Sequence, residues 1–593
     1  EREVEGLYVE QLVAVRDVTR EIVRDPVAGQ TREQEAGARQ ARAEELEQRL
    51  TADAERREAG LRVQVVPLYS GARYSAYTFR RFDDVRLVMA PELQLGFFGG
   101  DPDNFTYPRY SLDYAFFRVY QNDQPYAAPN FFRFTNTGVT DGMPVFVVGN
   151  PGSTNRLATV AQLTFEREYT LPRNVDAIEA RMAILGPYIE ANPALADSAD
   201  LRNAYFDLSN SQKSMSGGLA GLRDSYLMAR KAAAERALAA GIDTSATLRA
   251  RYGDVLRQLA DLQRVKQASF SQQAAFAFFA SPPFDSPILA RAIYLTYLDA
   301  LRRSGGSGGE AIGEVTGQIQ EMPYWPDALE RSFIRLRMEE LARFLGADNI
   351  VLQRVLGGRT PEAFAADLVE RTTLNDSTAV RRYLTNGFGG SGDVAVDVAQ
   401  ALFGLYLQTA QQQQNTAQAE ESLQGALSQA RFVLYGDRIP PDASFALRIA
   451  DGRVMGYPYN GTRAPIYTTF YGLYDRHHSN AGSRDWALPE RWRTPSPGFD
   501  LSTPLNLVTT ADITGGNSGS PLLNRNLEVV GLMFDSNIEA LPNDYLYRSE
   551  RGRSVAVDVR AILETLDEMY DLDRLVTELT TGRLVRNEND ADD

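Results

Sequence analysis

The chain contains 593 residues, and its proportions of 44 % hydrophobic and 24 % charged residues are typical of a folded protein with more than one domain. Its formal net charge of −16 argues against general binding to nucleic acids or anionic membranes. The lack of cysteine excludes thiolate metal sites, cysteine nucleophiles and disulfides. No apolar run reaches the roughly 20 residues that a membrane-spanning helix needs.

The first 160 residues are predicted to be mainly strands with one helical excursion. Residues 31–59 are rich in Ala, Glu and Arg and contain no proline, which indicates a single exposed helix. Short β-branched or alternating runs, bounded by glycine and proline, predict strands on either side of it. The predicted strands cover residues 61–69, 76–79, 85–89, 114–120 and 144–149.

From about residue 160 to residue 431 the apolar spacing changes to about 3.6, which predicts a helical domain. Helices are predicted over residues 219–239, 256–275, 286–303, 328–345 and 394–407. Two glycine-rich runs, 305–309 and 386–392, and the glutamine run 411–414 are predicted to be loops.

Strands are predicted to return after residue 442, and the chain is predicted to end in a helix and an acidic tail. The predicted strands cover 445–449, 465–470, 505–509 and 527–534, with a turn at 524–526 and a final helix over 557–579. We therefore expect a first β region over 1–160, a helical domain over 161–435, a second β region over 436–580 and a tail over 581–593.

The most informative segment is the run Thr514-Gly515-Gly516-Asn517-Ser518-Gly519-Ser520-Pro521. A serine between glycines on a tight turn can expose its hydroxyl, and the amides of Gly516 and Ser518 can act together as an oxyanion hole. This pattern favours acyl transfer with Ser518 as the nucleophile. The alternative is an ordinary glycine-rich turn between two strands.

This run resembles the nucleophile motif of chymotrypsin-like serine peptidases, in particular the bacterial family of dipeptidyl peptidases seven and eleven. Five ordered matches are far more specific than the serine motif alone. The other four are Asp84-Val85-Arg86-Leu87-Val88, the segment Gly99-Gly100-Asp101 to Pro108-Arg109, the segment Gly149-Asn150-Pro151-Gly152-Ser153-Thr154, and Gly531 to Asn537. The resemblance implies a mixed β and α multidomain fold: a chymotrypsin-like double β-barrel, its first barrel incomplete, with a large inserted α-helical domain that lies over the cleft.

The resemblance assigns the nucleophile to Ser518 and the triad aspartate to Asp113. In such a triad the aspartate orients a histidine and stabilises its imidazolium. Asp113 directly precedes the predicted strand 114–120, as this role requires. The alternative for Asp113 is an ordinary exposed carboxylate in a turn.

An exopeptidase also needs a site that holds the free ammonium of its substrate two residues from the scissile bond. A buried carboxylate with amide oxygens would do so through charge-assisted hydrogen bonds. The resemblance assigns this site to Asn104, Asn210 and Asp535, with Phe105 standing where the family commonly has tryptophan. The match around Asn210 is looser, and a helix-surface amide is its alternative.

Ser536 matches the family position that faces the pocket for the side chain before the scissile bond. The resemblance implies that arginine at this position goes with acidic side chains and glycine with apolar ones. A serine supplies no counter-charge, and an uncompensated substrate carboxylate would cost several kcal/mol to desolvate. We therefore expect apolar side chains, unless another arginine lies in the pocket.

The catalytic histidine of the family lies in an N-terminal strand-loop, ahead of the stretch that residues 1–9 resemble. We therefore expect roughly a hundred further N-terminal residues, including a signal peptide, and expect this chain to be inactive without its base. The two histidines present, His477 and His478, are predicted to be a solvated pair in a polar loop. The alternative is that one of them is the base, because triads occur in several chain orders.

The leading hypothesis is a serine exopeptidase that releases dipeptides from the free N-terminus of peptides. A trypsin-like endopeptidase would give Asn104 and Asp535 no ammonium to bind, and a peptide-binding pseudoenzyme would lack the base. The resemblance also implies a periplasmic or secreted location and a homodimer. No cofactor is expected, and no metal site, because the carboxylates of Asp101 and Asp103 fit no calcium loop with defined ligand positions.

Overall fold

The computed structural model describes residues 2–24, 29–303, 309–387, 392–585, 587–588 and 591. The chain divides into two compact units. One comprises Glu1–Val160, Ala220–Leu256 and Ser422–Asp593 and contains all the described strands; the other comprises Ala161–Leu219 and Arg257–Glu421 and is helical. Within the described ranges no helix is both long and apolar enough to cross a membrane.

The described residues of the first unit form four antiparallel sheets. A three-stranded sheet has the order Val9–Asp17, Arg73–Phe82, Leu61–Leu68, and a four-stranded sheet has the order Arg2–Glu3, Val85–Met89, Phe116–Gln121, Gln124–Pro125. The seven-stranded sheet has the order Tyr467–Thr469, Pro504–Thr509, Ser554–Asp558, Val529–Ser536, Pro521–Leu523, Pro144–Gly149, Arg448–Arg453. A two-stranded sheet joins Pro458–Tyr459 to Thr462–Arg463.

The central strands of the seven-stranded sheet are buried on both faces. Leu505 and Val557 pack into one hydrophobic core, whereas Leu507 and Ala556 pack into another. Because side chains alternate along a strand, burial of both faces requires the nearly continuous apolar runs seen here. This sheet carries the strands on either side of the glycine- and serine-rich run.

The predicted helix at residues 31–59 is present as Arg32–Arg57. Thr31 begins it with a capping box: its side chain accepts from the amide of Gln34, and the Gln34 side chain accepts from the amide of Thr31 at 2.9 Å. Its buried Leu46 packs in one core with Val63 of the three-stranded sheet. The apolar face of the helix therefore covers this sheet.

The remaining helices divide between the two units. The first unit also contains Thr19–Ile22, Leu93–Gly96, Gly100–Asp103, Ser225–Asp243, Ala246–Tyr252, Phe470–Ser479, Val559–Glu564 and Asp573–Thr581, the 3₁₀ turns Gly436–Arg438, Glu490–Arg493 and Ile538–Asp544, and the π-helical turn Thr565–Met569. The helical unit contains Leu171–Ala191, Pro193–Ser198, Phe270–Ala275, Pro287–Arg303, Gly309–Glu321, Asp327–Leu345, Ile350–Leu356, Pro361–Arg371 and Ser377–Asn386, with the π-helical turn Glu166–Thr170. Boundaries between the units fall within or at the ends of Val160–Phe165, Leu201–Arg223, Val255–Ala268 and Val394–Tyr435.

The helical unit buries charged side chains as well as a hydrophobic core. Arg181 forms a bidentate ion pair with Glu340 at 2.7 and 2.8 Å, and Arg337 pairs with Asp285 at 3.1 Å. Glu330 is fully buried, and desolvation raises its pKa to about 8. The interior of this unit is therefore specified by a polar network as well as by apolar packing.

Several predicted elements differ from the structure. The glutamine run 411–414 is not a loop but lies inside Val394–Tyr435, because glutamine is a good helix former. The predicted helix 219–239 is interrupted at Asp224, whose side chain caps Ser225–Asp243 by accepting from the Tyr226 amide. The predicted helix 256–275 is divided at Ser269 into Val255–Ala268 and Phe270–Ala275.

The C-terminal region was also predicted only in part. Val557 and Asp558 end the strand Ser554–Asp558 instead of starting a helix, and Asp558 then caps Val559–Glu564. The predicted strands 445–449 and 465–470 are displaced to Arg448–Arg453 and Tyr467–Thr469. Most of the predicted loops 305–309 and 386–392, and much of the predicted acidic tail, lie outside the described residues.

Candidate active site

The segment that carries Ser518 is a tight turn, here called the Gly-Ser turn (residues 514–520), which leads into the strand Pro521–Leu523. Asn517 is buried and holds the turn together: its amide donates to Thr514 O at 3.1 Å, and its side-chain oxygen accepts from the Thr514 amide at 3.2 Å. The amide of Gly519 donates to Met533 O at 2.7 Å. These bonds fix the turn against the neighbouring strand Val529–Ser536.

Ser518 lies at the exposed tip of the Gly-Ser turn. Its hydroxyl, its amide and the amide of Gly516 form no hydrogen bond with any described residue. Gly516 has φ +100°, and a Cβ atom there would lie 2.5 Å from Asn150 O, so only glycine fits. The turn thus presents an exposed hydroxyl and two amides without a hydrogen-bond partner among the described residues; their role as an oxyanion hole stays a prediction.

The turn at residues 150–152 supports the Gly-Ser turn from the other side. The amide of Gly152 donates to Gly515 O at 2.7 Å. Gly149 allows the close approach, because a Cβ atom there would collide with Ser520 Oγ and would lie 2.8 Å from Asn517 Nδ2. Two of the sequence segments that resemble the dipeptidyl peptidases are therefore in direct contact.

Asp113 lies at the end of a segment that is held rigidly by its main chain. Ser111 donates its amide to Asn506 Oδ1 at 2.8 Å and accepts from Asn506 Nδ2 at 2.7 Å, and Leu112 is buried. The Asp113 side chain is exposed and accepts no hydrogen bond from a described residue. The surrounding protein still desolvates it enough to raise its pKa, and the positive charge of Arg109 partly offsets that rise. The neighbouring residues therefore fix the position of Asp113, while its carboxylate accepts no hydrogen bond from the described residues.

Asp535 is a buried carboxylate that joins two of the matched segments. One oxygen, Oδ2, accepts from the Phe105 amide at 3.2 Å and from Arg109 Nη1 at 2.9 Å, and the other accepts from the Ser536 amide at 2.7 Å. The side chains of Arg109 and Asp535 are both only 7 % exposed. The predicted ammonium-binding carboxylate is therefore already paired with a guanidinium.

Arg109 is a site residue that was not predicted from the sequence. Its Nε donates to Ser111 Oγ at 2.8 Å, and its Nη1 donates to Asp103 O as well as to Asp535. A general rule could have identified it: a buried carboxylate such as Asp535 needs a counter-charge, and Arg109 is an arginine in one of the matched segments.

Asn104 and Phe105 follow the short helix Gly100–Asp103. Asn104 is buried, and its amide donates to Asp101 O at 3.1 Å. Phe105 has φ +60°, which costs an aromatic residue about 1 to 2 kcal/mol. The hydrogen bond from the Phe105 amide to Asp535 helps to hold this conformation. The structure therefore brings three of the predicted residues, Asn104, Phe105 and Asp535, together.

Ser536 is half-buried and lies opposite Ser554 on the adjacent strand. Arg553 directly precedes the adjacent strand, and its guanidinium donates to four main-chain oxygens. The strand opposite Ser536 therefore contributes no cation to its face.

Asn210 lies at a half-buried position in Leu201–Arg223, within the part of that helix that belongs to the helical unit. Its role in binding the substrate N-terminus stays a prediction from the resemblance.

The two histidines are not in a polar loop, and that prediction was wrong. Both lie in the last turn of the helix Phe470–Ser479, whose Phe470 and Leu473 are buried in the core. His477 Nδ1 hydrogen-bonds to Trp486 O at 2.7 Å. Neither histidine forms a hydrogen bond to Ser518 or Asp113. Within the described residues there is also no group of three or more His, Asp or Glu side chains that could hold a metal ion.

The chain is similar to known dipeptidyl peptidases in sequence and in fold. Dipeptidyl-peptidase 7 of Porphyromonas endodontalis is 28 % identical over 623 residues, covering 97 % of this chain and 72 % of the relative. The Asp/Glu-specific dipeptidyl-peptidase of Shewanella putrefaciens is 27 % identical, covering 89 % of this chain and 78 % of the relative. The crystal structure of Porphyromonas endodontalis DPP11 in complex with the dipeptide Arg-Glu has a similar fold, with a TM-score of 0.80 at 21 % identity, covering 98 % of this chain and 86 % of that one.

The resemblance inferred from five short segments is therefore confirmed along the chain. The model of the family described as Peptidase S46 matches residues 1–581. On that match, this chain belongs to the peptidase S46 family.

Proposed function

We propose that this protein is a serine dipeptidyl peptidase that releases dipeptides from the free N-terminus of peptides. The observation that carries the proposal is the Gly-Ser turn, which exposes the Ser518 hydroxyl beside the unpaired amides of Gly516 and Ser518. Membership of the peptidase S46 family and the similarity to two kinds of dipeptidyl-peptidase support the same reaction.

In this mechanism Ser518 Oγ attacks the carbonyl carbon of the second substrate residue. Its proton passes to a histidine base, which Asp113 orients through an Nδ1–H hydrogen bond and whose positive charge Asp113 stabilises. The unpaired Asp113 carboxylate suits this role. The negative charge on the tetrahedral intermediate is stabilised by the amides of Gly516 and Ser518. The intermediate collapses as its C–N bond breaks, and the amine of the leaving peptide takes the proton from the histidine. Water then releases the dipeptide from Ser518.

The ammonium of the substrate is held by Asp535 and Asn104. Asp535 is oriented by Arg109 and by the Phe105 amide, so its position does not depend on the substrate. Because Arg109 neutralises Asp535, the ammonium brings an excess positive charge to this site. Amide and carboxylate oxygens that lie close to the ammonium are therefore needed to bind it.

The side chain before the scissile bond is apolar in this proposal. Ser536 is neutral, and two arginines of the first unit, Arg553 and Arg156, are already paired. Arg553 donates to main-chain oxygens, and both terminal nitrogens of Arg156 donate to Asp512, at 2.5 and 2.8 Å. A substrate carboxylate would find no unpaired arginine among these, and its desolvation would not be compensated.

The proposal also includes the arrangement of the fold that the resemblance implies. A chymotrypsin-like pair of β-barrels with an inserted helical domain is supported by the antiparallel sheets and by the structural similarity to DPP11. A periplasmic or secreted location and a homodimer follow only from the resemblance.

The test is release of a fluorophore from a dipeptide that ends in an apolar residue. The protein is expressed from its own start codon, and the dipeptide is offered with its amino group free or acetylated. We expect cleavage of the free form only. The Ser518→Ala variant should be inactive, whereas Ser483→Ala, which removes another exposed hydroxyl, should retain full activity.

Other results would favour the two alternatives. Cleavage of both the free and the acetylated form would indicate an endopeptidase. Binding of the peptides without cleavage of apolar or acidic dipeptides would indicate a peptide-binding pseudoenzyme. Activity that survives in Ser518→Ala would overturn the assignment of the nucleophile.

A further inference from the structure

Phe445 is an exposed aromatic residue just before the edge strand Arg448–Arg453. It is 66 % exposed, and its backbone has φ +58°, a conformation that is unfavourable for an aromatic residue. An exposed ring on a strained backbone contributes little apolar burial to folding. Such a residue is a candidate for a functional contact.

The backbone of Phe445 is fixed against the turn at residues 150–152. Its amide lies 2.8 Å from Pro151 O and 3.0 Å from Gly152 O, and its carbonyl accepts from Asn150 Nδ2 at 3.0 Å. Gly152 in turn donates to Gly515 O. Main-chain hydrogen bonds therefore connect Phe445 directly to the Gly-Ser turn.

The ring of Phe445 lies beside Gly516. A methyl group built on Gly516 would be 3.2 Å from Phe445 Cε2. The amide of Gly516 is the candidate donor to the oxyanion, so the attacked carbonyl lies next to this ring in the proposed mechanism. The ring is therefore within reach of residues close to the scissile bond.

The order of the strands indicates which part of the substrate reaches Phe445. The strand Val529–Ser536, which carries Asp535, pairs with one edge of Pro521–Leu523, and the strand Pro144–Gly149 pairs with the other. Phe445 is bonded to the turn that follows Pro144–Gly149. Asp535 and Phe445 therefore approach the Gly-Ser turn from opposite sides, and the ammonium end of the substrate occupies the Asp535 side.

We infer that Phe445 forms an apolar subsite for the leaving peptide, contacting the side chain of the first or second residue after the scissile bond. The inference rests on the proposed function, because it takes Ser518 as the nucleophile and Asp535 as the ammonium ligand. It assigns the protein a preference for apolar residues on the leaving side in addition to the pocket at Ser536.

The test uses two peptides that yield the same dipeptide. They differ only in the two residues after the scissile bond, Leu-Leu in one and Gly-Gly in the other, and the released dipeptide is measured by liquid chromatography. We expect wild-type kcat/KM to be about fivefold higher for the Leu-Leu peptide. Phe445→Ala should reduce this ratio to about one, and Phe445→Leu should retain part of the preference.

Leu527→Ala is the matched control, because Leu527 is 62 % exposed, has φ +62° and lies in the turn at the far end of Pro521–Leu523. It should keep the wild-type ratio. An unchanged ratio in Phe445→Ala, or a wild-type ratio of one, would overturn the inference while dipeptide release upheld the proposed function. No dipeptide release from either peptide by the wild type would contradict the proposed function itself. If Phe445→Ala fails to fold, an unchanged ratio in Phe445→Leu contradicts the inference instead.

Discussion

Replacing Arg109 by methionine should destabilise the first unit, because it leaves the Asp535 carboxylate buried without its counter-charge. Methionine keeps much of the side-chain volume but cannot donate to Asp535, Ser111 or Asp103. At the observed 2.9 Å the attraction between the charges is about 6 kcal/mol for an effective dielectric constant of 20. Desolvation offsets part of this attraction, and breaking one side of such a buried pair typically costs about 3 to 5 kcal/mol.

A double-mutant cycle with Asp535→Asn isolates the contribution of the Arg109–Asp535 ion pair to folding stability. Unfolding in urea is followed by tryptophan fluorescence, since two of the three tryptophans, Trp486 and Trp492, lie in the same unit. We expect Arg109→Met to lower the free energy of unfolding by about 3 to 5 kcal/mol. The double variant should lose at least about 2 kcal/mol less than the sum of the losses in the two single variants.

The matched control is the exposed pair Arg81 and Asp83, which is 2.7 Å apart, with side chains that are 44 % and 71 % exposed. Its coupling should stay below about 1 kcal/mol because water screens it. A coupling for Arg109 and Asp535 as small as that of the control pair would refute the claim that this ion pair organises the site.

Three further predictions concern the triad, the turn and the helical unit. Asp113→Asn should lower kcat by about 10⁴-fold without loss of folding stability, because the side chain is exposed and its charge is needed only by the base; an unchanged kcat would exclude the triad role. Gly516→Ala should lower kcat/KM at least about 100-fold, because its Cβ would collide with Asn150 O, whereas Gly37→Ala, which has open space around its Cβ, should not. Glu330 has its pKa raised to about 8 in the folded state from 4.5, so wild-type stability is fully present below pH 4.5 and is lost as the pH rises towards 8. The stability of Glu330→Gln relative to wild type should therefore rise by about 3 kcal/mol between pH 5 and pH 8 in urea unfolding, and a difference independent of pH would contradict a protonated Glu330.

Local sequence patterns predicted the elements that depend on local forces. The strand Pro144–Gly149 and the helix Arg32–Arg57 were found because each has a regular apolar period and a clear boundary signal. The breaks at Asp224 and Ser269 were missed because helical apolar spacing continues across both. An N-cap inside a continuous apolar pattern is not visible without knowing where the chain turns.

Contacts between distant segments could not be predicted in the same way. Arg109 and Asp535 are 426 positions apart, and nothing in either local pattern connects them. The positions of Ser518, Asp113, Asn104 and Asp535 were predicted through ordered motif matches, which carry long-range information that periodicity lacks. Phe445 was predicted only as part of a strand, because its role depends on the neighbouring Gly-Ser turn.

The most direct test of the central claim is the mass ladder of a ten-residue peptide with apolar residues at its even positions. The peptide is incubated with the protein, expressed from its own start codon, and sampled over time by mass spectrometry with its N-terminus free or acetylated. We predict stepwise loss of two residues at a time from the free peptide, no change in the acetylated peptide, and no loss from either with Ser518→Ala. Internal fragments from the acetylated peptide, or an intact free peptide, would contradict the account.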